Sequence, residues 1–205
     1  MPEITTIAEL GTAGGTLILA LATFASVRAA DRRARIAERA MLIGMRPTLV
    51  PSRPEDPPED VRFASDEILH VPPGSAVVTH RDDRLLMAIT LRNVGSGLAV
   101  LRGWQVNYGH LTEGGGEHGD PDDFRRPVRD NYIAAGDVGF WQGAVRDAED
   151  QLHGEVGQAL QSDKHLFVDL LYSDEEGLQR FISRFWLIPH GDIWAASVGR
   201  HWRLG

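Results

Sequence analysis

The sequence predicts a mainly β protein carried on an N-terminal helix. Three observations lead there. Gly11 to Val27 is uncharged and closes on a cluster of arginines. Several later stretches alternate apolar and polar residues with period two, as half-buried strands do. Turn-forming residues separate those stretches. Together they predict a transmembrane helix over 4–27, a basic juxtamembrane helix over 28–45 and an antiparallel β-sandwich over 46–205.

A spanning helix needs about 20 mostly apolar residues to cross about 30 Å of hydrocarbon, and Ile4 to Val27 has that length. Glu9 fits at headgroup level, where a charge costs far less than at the bilayer centre. Thr12, Thr16 and Thr23 can bond back to their own helix. The anchor residues are Gly11, Gly15, Leu17, Ile18, Leu19, Leu21 and Phe24. A cleaved signal peptide would need a basic start, whereas Met1 to Gly11 carries Glu3 and Glu9 and no Lys or Arg. Gly11 and Gly15 form a small-x-x-x-small pair that lets two helices approach closely in lipid, so a homo-oligomer through this helix is a candidate assembly.

Arg28, Arg32, Arg33, Arg35 and Arg39 set the expected topology. Basic residues beside a span stay on the cytoplasmic side. The expectation is a single-pass protein of the inner membrane, N-terminus outside and C-terminal domain in the cytoplasm. Residues 28–53 hold seven arginines against Asp31 and Glu38, while 54–205 hold fourteen basic and twenty-five acidic residues. The basic segment suits an anionic leaflet. The acidic remainder lacks the basic stripe of a nucleic-acid binder, so the expected partners are the bilayer and a protein. The chain has no cysteine, which excludes disulfides, thiolate zinc sites and cysteine nucleophiles.

The elements follow in order. Arg28 to Gly44 is rich in Ala and Arg and reads as helix; Arg46-Pro47 then forces an extended backbone. Thr48 to Pro51 reads as the first strand, and Pro54 to Asp60 as a turn-like linker. Pro72-Pro73-Gly74 precedes the short apolar run Ala76 to Val78. Leu85, Met87, Ile89 and Leu91 alternate with their neighbours, as do Leu166, Val168, Leu170 and Tyr172, and Phe181, Phe185 and Leu187. Asn93 to Gly97 breaks two apolar runs, Asp174 to Gly177 reads as a hairpin turn, and Ile193 to Trp202 is the last strand. Ala144 to Gln161 reads as a loop with a helical turn. The sum is seven to nine strands in a sandwich of two antiparallel sheets.

Arg46-Pro-Thr-Leu-Val50, Leu91-Arg-Asn-Val-Gly-Ser-Gly-Leu-Ala99 and Leu171-Tyr-Ser-Asp-Glu-Glu-Gly177, behind an apolar span and a basic helix, make the chain resemble a broad set of uncharacterised bacterial single-span membrane proteins. The resemblance implies an immunoglobulin-like sandwich and no catalytic residue.

Sites are sparse. His110, Glu113, Glu117, His118, Asp120, Asp122 and Asp123 surround Gly114-Gly-Gly116. Such imidazoles and carboxylates ligate zinc or manganese, but their spacing matches no ligand frame and reads as a solvated hairpin loop. Gly95, Gly97 and Gly103 lack the lysine and following helix of a phosphate cradle. Ser96 is not in a hydrolase elbow. Trp194, Arg200, Trp202 and Arg203 form a candidate partner patch, since aromatic and arginine side chains anchor interfaces. The reading is a membrane-anchored binding or scaffold module without catalysis, cofactor or metal. The alternatives are an exported β-sandwich, with the first 30 residues as a secretion signal, and a metal-dependent hydrolase built on the 110–123 loop.

Overall fold

The computed structural model describes residues 3–81, 83–109, 116–129, 131–162 and 164–204. The chain divides into two compact units, Met1–Gly44 and Met45–Gly205.

The first unit is one helix, α1 (Glu3–Gly44), of 42 residues, about 63 Å long at 1.5 Å per residue. The expected span and basic helix are thus continuous. No proline interrupts the segment, and it ends at Gly44 just ahead of Arg46-Pro47. Leu19, Leu21, Phe24 and Val27 are 58–69% exposed, as are Arg28, Arg32, Arg33 and Arg35 by class. Thr23 Oγ1 donates to the Leu19 carbonyl at 2.8 Å, the back-bond expected of it. Among the described residues, no helix is long and apolar enough to cross a membrane. The side chains at Gly11, Gly15, Leu17, Ile18 and Arg39 lie outside the described set.

The second unit is mainly β. Its strands are β1 (Leu49–Pro51), β2 (Glu59–Arg62), β3 (Ile68–Val71), β4 (Ser75–Arg81), β5 (Arg84–Asn93), β6 (Ala99–Gly109), β7 (Asn131–Ile133), β8 (Val138–Val145), β9 (His165–Ser173), β10 (Arg180–His190) and β11 (Ile193–Leu204). A helix, α2 (Gln151–Gln161), lies between β8 and β9. Nine strands form one antiparallel sheet in the order β1-β5-β4-β11-β10-β9-β6-β7, with β8 on the other side of β5. Two separate sheets were expected. Instead a single sheet curls over the core, its halves joined where Ala76 and Ser75 of β4 meet Trp194 and Ala195 of β11.

Alternation sorts β5 side chains between two clusters. Leu85, Met87, Ile89 and Leu91 enter the main core with Trp104, Trp141, Val168, Tyr172, Phe181 and Phe185. Leu86 and Ala88 point the other way, onto Val61, Phe63, Leu69 and Val71. Those last residues belong to or border the β2–β3 hairpin, which pairs Glu59 with Val71 through Arg62 with Ile68. The sequence reading takes part of this region for a linker, because Glu59, Asp60 and Arg62 hide the alternation of Val61 and Phe63. Burying such a side chain contributes about 1.5–3 kcal/mol, so a two-stranded ribbon too small to stand alone is held by its apolar face.

The helix α2 exceeds the single turn expected of it. Asp150 caps it, accepting from Leu152 N at 3.0 Å. Leu152, Val156 and Ala159 then fall on one face and enter the core. Gly154 and Gly157 lower its intrinsic propensity; packing overrides it.

The tightest local structure sits where β5 ends. Asn93 is fully buried. Its Oδ1 accepts from Thr48 N and Gly95 N, both at 3.0 Å. Its Nδ2 donates to Gly97 O at 2.7 Å and Ile133 O at 3.0 Å. Gly95 and Gly97 are present for close approach: a Cβ on Gly97 would collide with the Met45 carbonyl, and one on Gly95 with Arg46 O and Thr48 N. A second polar anchor holds the outer face, where Asp56, 8% exposed, accepts from Arg53 N at 2.7 Å and from Arg92 Nε at 3.0 Å. The hydrogen bond from Arg92, then that from Arg53 N, lowers the Asp56 pKa to about 2.

Gly97→Ala is expected to destabilise the full chain by about 1–3 kcal/mol through overpacking against Met45, read from urea denaturation midpoints. The Asp56 carboxyl titrates in the folded state near 2 against 3.8 unfolded. Its contribution is therefore complete above about pH 5 and lost as pH falls through about 2. The stability gap between wild type and Asp56→Asn should be widest above that window and shrink within it, as followed by denaturation at each pH.

Candidate interaction face

The strands β9, β10 and β11 put alternate side chains on the face opposite the main core. Phe167, Asp169 and Leu171 come from β9, Ile182, Arg184 and Trp186 from β10, and Trp202 and Leu204 from β11. Arg184 and Asp169 are directly paired in register, which brings their charges together. Arg184 Nε donates to Asp169 Oδ1 at 2.7 Å and Nη2 to Oδ2 at 2.6 Å. The fork is bidentate. Both residues are buried, Asp169 at 0% and Arg184 at 4% exposure.

The burial comes from aromatic rings and a strap of chain. The Arg184 guanidinium lies 4.9 Å from the Phe167 ring centre and 5.0 Å from that of Trp202. Phe167 in turn packs on Trp186, with centres 5.2 Å apart. Residues 116–125 cross this face. Glu117 O accepts from Arg184 Nη2 at 3.3 Å, His118 meets the Trp202 ring edge-on at 5.5 Å, and Phe124 joins Leu171 and Ile182 in a small cluster. Gly103, at the bulge where β6 shifts register against β9, leaves space that the Phe124 Cβ occupies. The outward product is a half-buried Trp202 with the exposed Arg200 guanidinium 5.3 Å from its ring. Such a cation–aromatic platform can receive a carboxylate or a flat apolar group from a partner.

The structure divides the sequence-derived patch. Trp202 and Arg200 lie together. Trp194 is 5% exposed and belongs to the main core, where it packs beside the β4–β11 junction. Arg203 is exposed, but strand alternation turns it to the face opposite Trp202. Asp169 and Arg184 escape the sequence reading as a pair because each occupies an outward position in an alternating strand, where a charge usually meets water. The available signal was their depth inside apolar strands, Leu166-Phe-Val-Asp-Leu-Leu171 and Phe181-Ile-Ser-Arg-Phe-Trp186.

Of the acidic loop, His110, Glu113, Gly114 and Gly115 lie outside the described residues. Asp120 caps the short 3-10 turn Pro121–Asp123, accepting from Asp122 N at 3.1 Å. His118 Nδ1 donates to Gly119 O at 2.7 Å. Both are engaged in building the strap. No group of three metal-ligating side chains occurs among the described residues.

One serine–histidine pair is present on the core side. Ser183 Oγ lies 2.6 Å from His201 Nδ1 and 2.8 Å from the Tyr172 hydroxyl, and Leu49 N donates to Tyr172 at 3.4 Å. Burial, with the Arg46 charge adding to it, pushes the His201 pKa below its ordinary value. Ser183 is 0% exposed. The three residues act as a polar staple between β9, β10 and β11.

No known protein family matches this chain, and no curated protein resembles it closely enough to count as a relative.

Removing one partner of a buried ion pair leaves the other charge uncompensated, at a cost of about 3–5 kcal/mol. Asp169→Ala should show a loss of that size in urea denaturation. The double change Asp169→Leu with Arg184→Leu should cost much less, because no charge is stranded. Arg200→Ala, on the open side of Trp202, should stay within about 0.5 kcal/mol of wild type.

Proposed function

We propose that this chain is a membrane-anchored binding module, with α1 holding the β domain at the cytoplasmic face of the inner membrane. The observation that carries the reading is the order of residues along α1. The uncharged run Gly11 to Val27 is followed by Arg28, Arg32, Arg33 and Arg35. Leu19, Leu21, Phe24 and Val27 present 58–69% of their surface. Large apolar side chains exposed around a helix call for a covering medium, and lipid closed off by a basic collar meets that need. The Gly11–Gly15 pair would let two copies approach in the bilayer.

A β domain suits the binding half of this role. Its core is closed over by a curled sheet, while parts of its surface such as Arg200 stay exposed. Trp202 with Arg200 is the first candidate contact. Two sheet halves folded over one core support a sandwich-like reading of the immunoglobulin kind, and the continuity through β4 and β11 departs from it.

The test is a reporter fused after Gly205 in bacterial cells, with membrane fractionation of the same fusions. A reporter active only in the cytoplasm should fluoresce, and an exported-side enzyme reporter should stay silent. The reverse would favour the exported-domain reading and overturn this one. Leu19→Arg with Phe24→Arg should move the chain from the membrane pellet to the supernatant, since each arginine at a helix centre costs about 2.5–3.5 kcal/mol of insertion.

A further inference from the structure

The sheet carries an opening where its two halves part. Strand β4 pairs with β5 along its length, from Ala76 with Ile89 to Arg81 with Arg84. On its other side it meets β11 only at Ser75 and Ala76. Beyond that junction, β11 turns into the β10–β11 hairpin through His190 and Ile193, and among the described residues no strand pairs with the second edge of β4 from Val77 to Arg81. The gap is an open groove of about 700 Å³, lined among others by Val77, Val78, Arg81, Leu160, Asp192 and Trp194. Trp194 is buried and shares the junction pair with Ala76. Leu160, in the last turn of α2, is 37% exposed and contributes an apolar wall.

We infer that this groove takes an extended peptide segment of a protein partner by strand addition to the free edge of β4. Alternate residues of an edge strand aim N–H and C=O groups away from the paired neighbour, and an extended backbone is the ligand that matches such a row. Five residues from Val77 to Arg81 give about 17 Å of edge at 3.3 Å per residue, the length of an ordinary strand. Exposed edges are usually blunted by charge, proline or a covering element. Here Val77, Val78 and Thr79 lead the edge without a proline or bulge; His80 beyond them stacks edge-on against His153 of α2 at 4.7 Å, and its carbonyl accepts from Thr79 Oγ1 at 3.3 Å. Arg81 is exposed and lines the groove. It would receive an acidic side chain of the peptide, while an apolar side chain two or more positions away would sit on Val78 and Leu160. The inference gives the binding module its partner chemistry and rests on that part of the reading alone. Failure of the topology test leaves it standing, and failure of peptide binding leaves the anchoring intact.

The test pans the full chain against a displayed library of random eight-residue peptides, then measures resynthesised winners by fluorescence anisotropy. The expected winners alternate apolar and polar residues and carry an acid toward one end. They should bind wild type and lose about tenfold or more, or about 1.4 kcal/mol, on Leu160→Trp and on Arg81→Glu. Both positions are exposed, and unchanged melting temperatures would show that the variants still fold. Methylating alternate backbone nitrogens of the peptide should abolish binding. Lack of enrichment overturns the inference, as do winners indifferent to both backbone methylation and the two variants. Self-association that Leu160→Trp abolishes, seen by light scattering, would replace the peptide with a second copy and overturn it as well.

Discussion

The four side-chain hydrogen bonds of Asn93 are the constraint on which the β domain depends. Its Oδ1 holds Thr48 N and Gly95 N, and its Nδ2 holds Gly97 O and Ile133 O. Every donor and acceptor of the amide is used. The backbone of the same residue accepts from Gly136 N and donates to Asp137 O. One buried residue thus sets the start of β1, the turn after β5, the end of β7 and the approach to β8. A leucine of similar size would keep the volume and strand these partners, each at about 1–3 kcal/mol if left unsatisfied. Gly95 and Gly97 follow from the same contact, because the Met45–Thr48 segment must lie against them for Thr48 N to reach Asn93.

From that end, β5 organises the rest. It is paired to β1 and β4 on one side and β8 on the other, and it is buried on both faces. A strand with no free side must be apolar almost throughout, as Leu85 to Leu91 is. The sheet curls because its two halves share one core, yet only two residues of β4 join them. The same geometry that closes the main core therefore leaves the lower edge of β4 without a neighbour. Closure at one end and the opening at the other are two consequences of a single short junction.

How much of this was legible depends on the range of the signal. Period-two alternation within a strand is local, and the sequence places Leu85–Leu91, Leu166–Tyr172 and Phe181–Leu187 in strands; the half-buried strand expected at Leu85–Leu91 is instead buried on both faces. Asp174 to Gly177 turns where its composition says, with Gly177 at φ +74°. The pairing order is not local. Nothing in β11 announces that Trp194 meets Ala76, so the sequence reads Trp194 and Trp202 as one patch although they lie at opposite ends of a twelve-residue strand. Short elements fail for another reason. The β2–β3 hairpin and α2 are stabilised by what they cover, and neither Glu59–Arg62 nor the glycine-bearing α2 declares itself by propensity. The motif Asn93-Val-Gly-Ser-Gly97 was visible as a turn, but its task of receiving Met45–Thr48 needs both segments in place.

The distribution of polar groups bears on where binding can occur. Where they are buried, they face one another: Asp169 with Arg184, Tyr172 with Ser183, and Asn93 with four backbone groups. Groups satisfied in this way have little to offer a ligand without being broken apart, and breaking them costs more than a typical contact returns. Along the free edge of β4 the balance is reversed. Backbone groups there face an open groove, where bonds to water can be exchanged for bonds to a second backbone. The net gain per bond is small, which is why recognition at such an edge relies on several bonds in register and on a few side-chain contacts. Leu160, Val78 and Arg81 supply those contacts within one strand length of each other, and they do so on a part of the fold that Asn93 and the buried ion pair leave undisturbed.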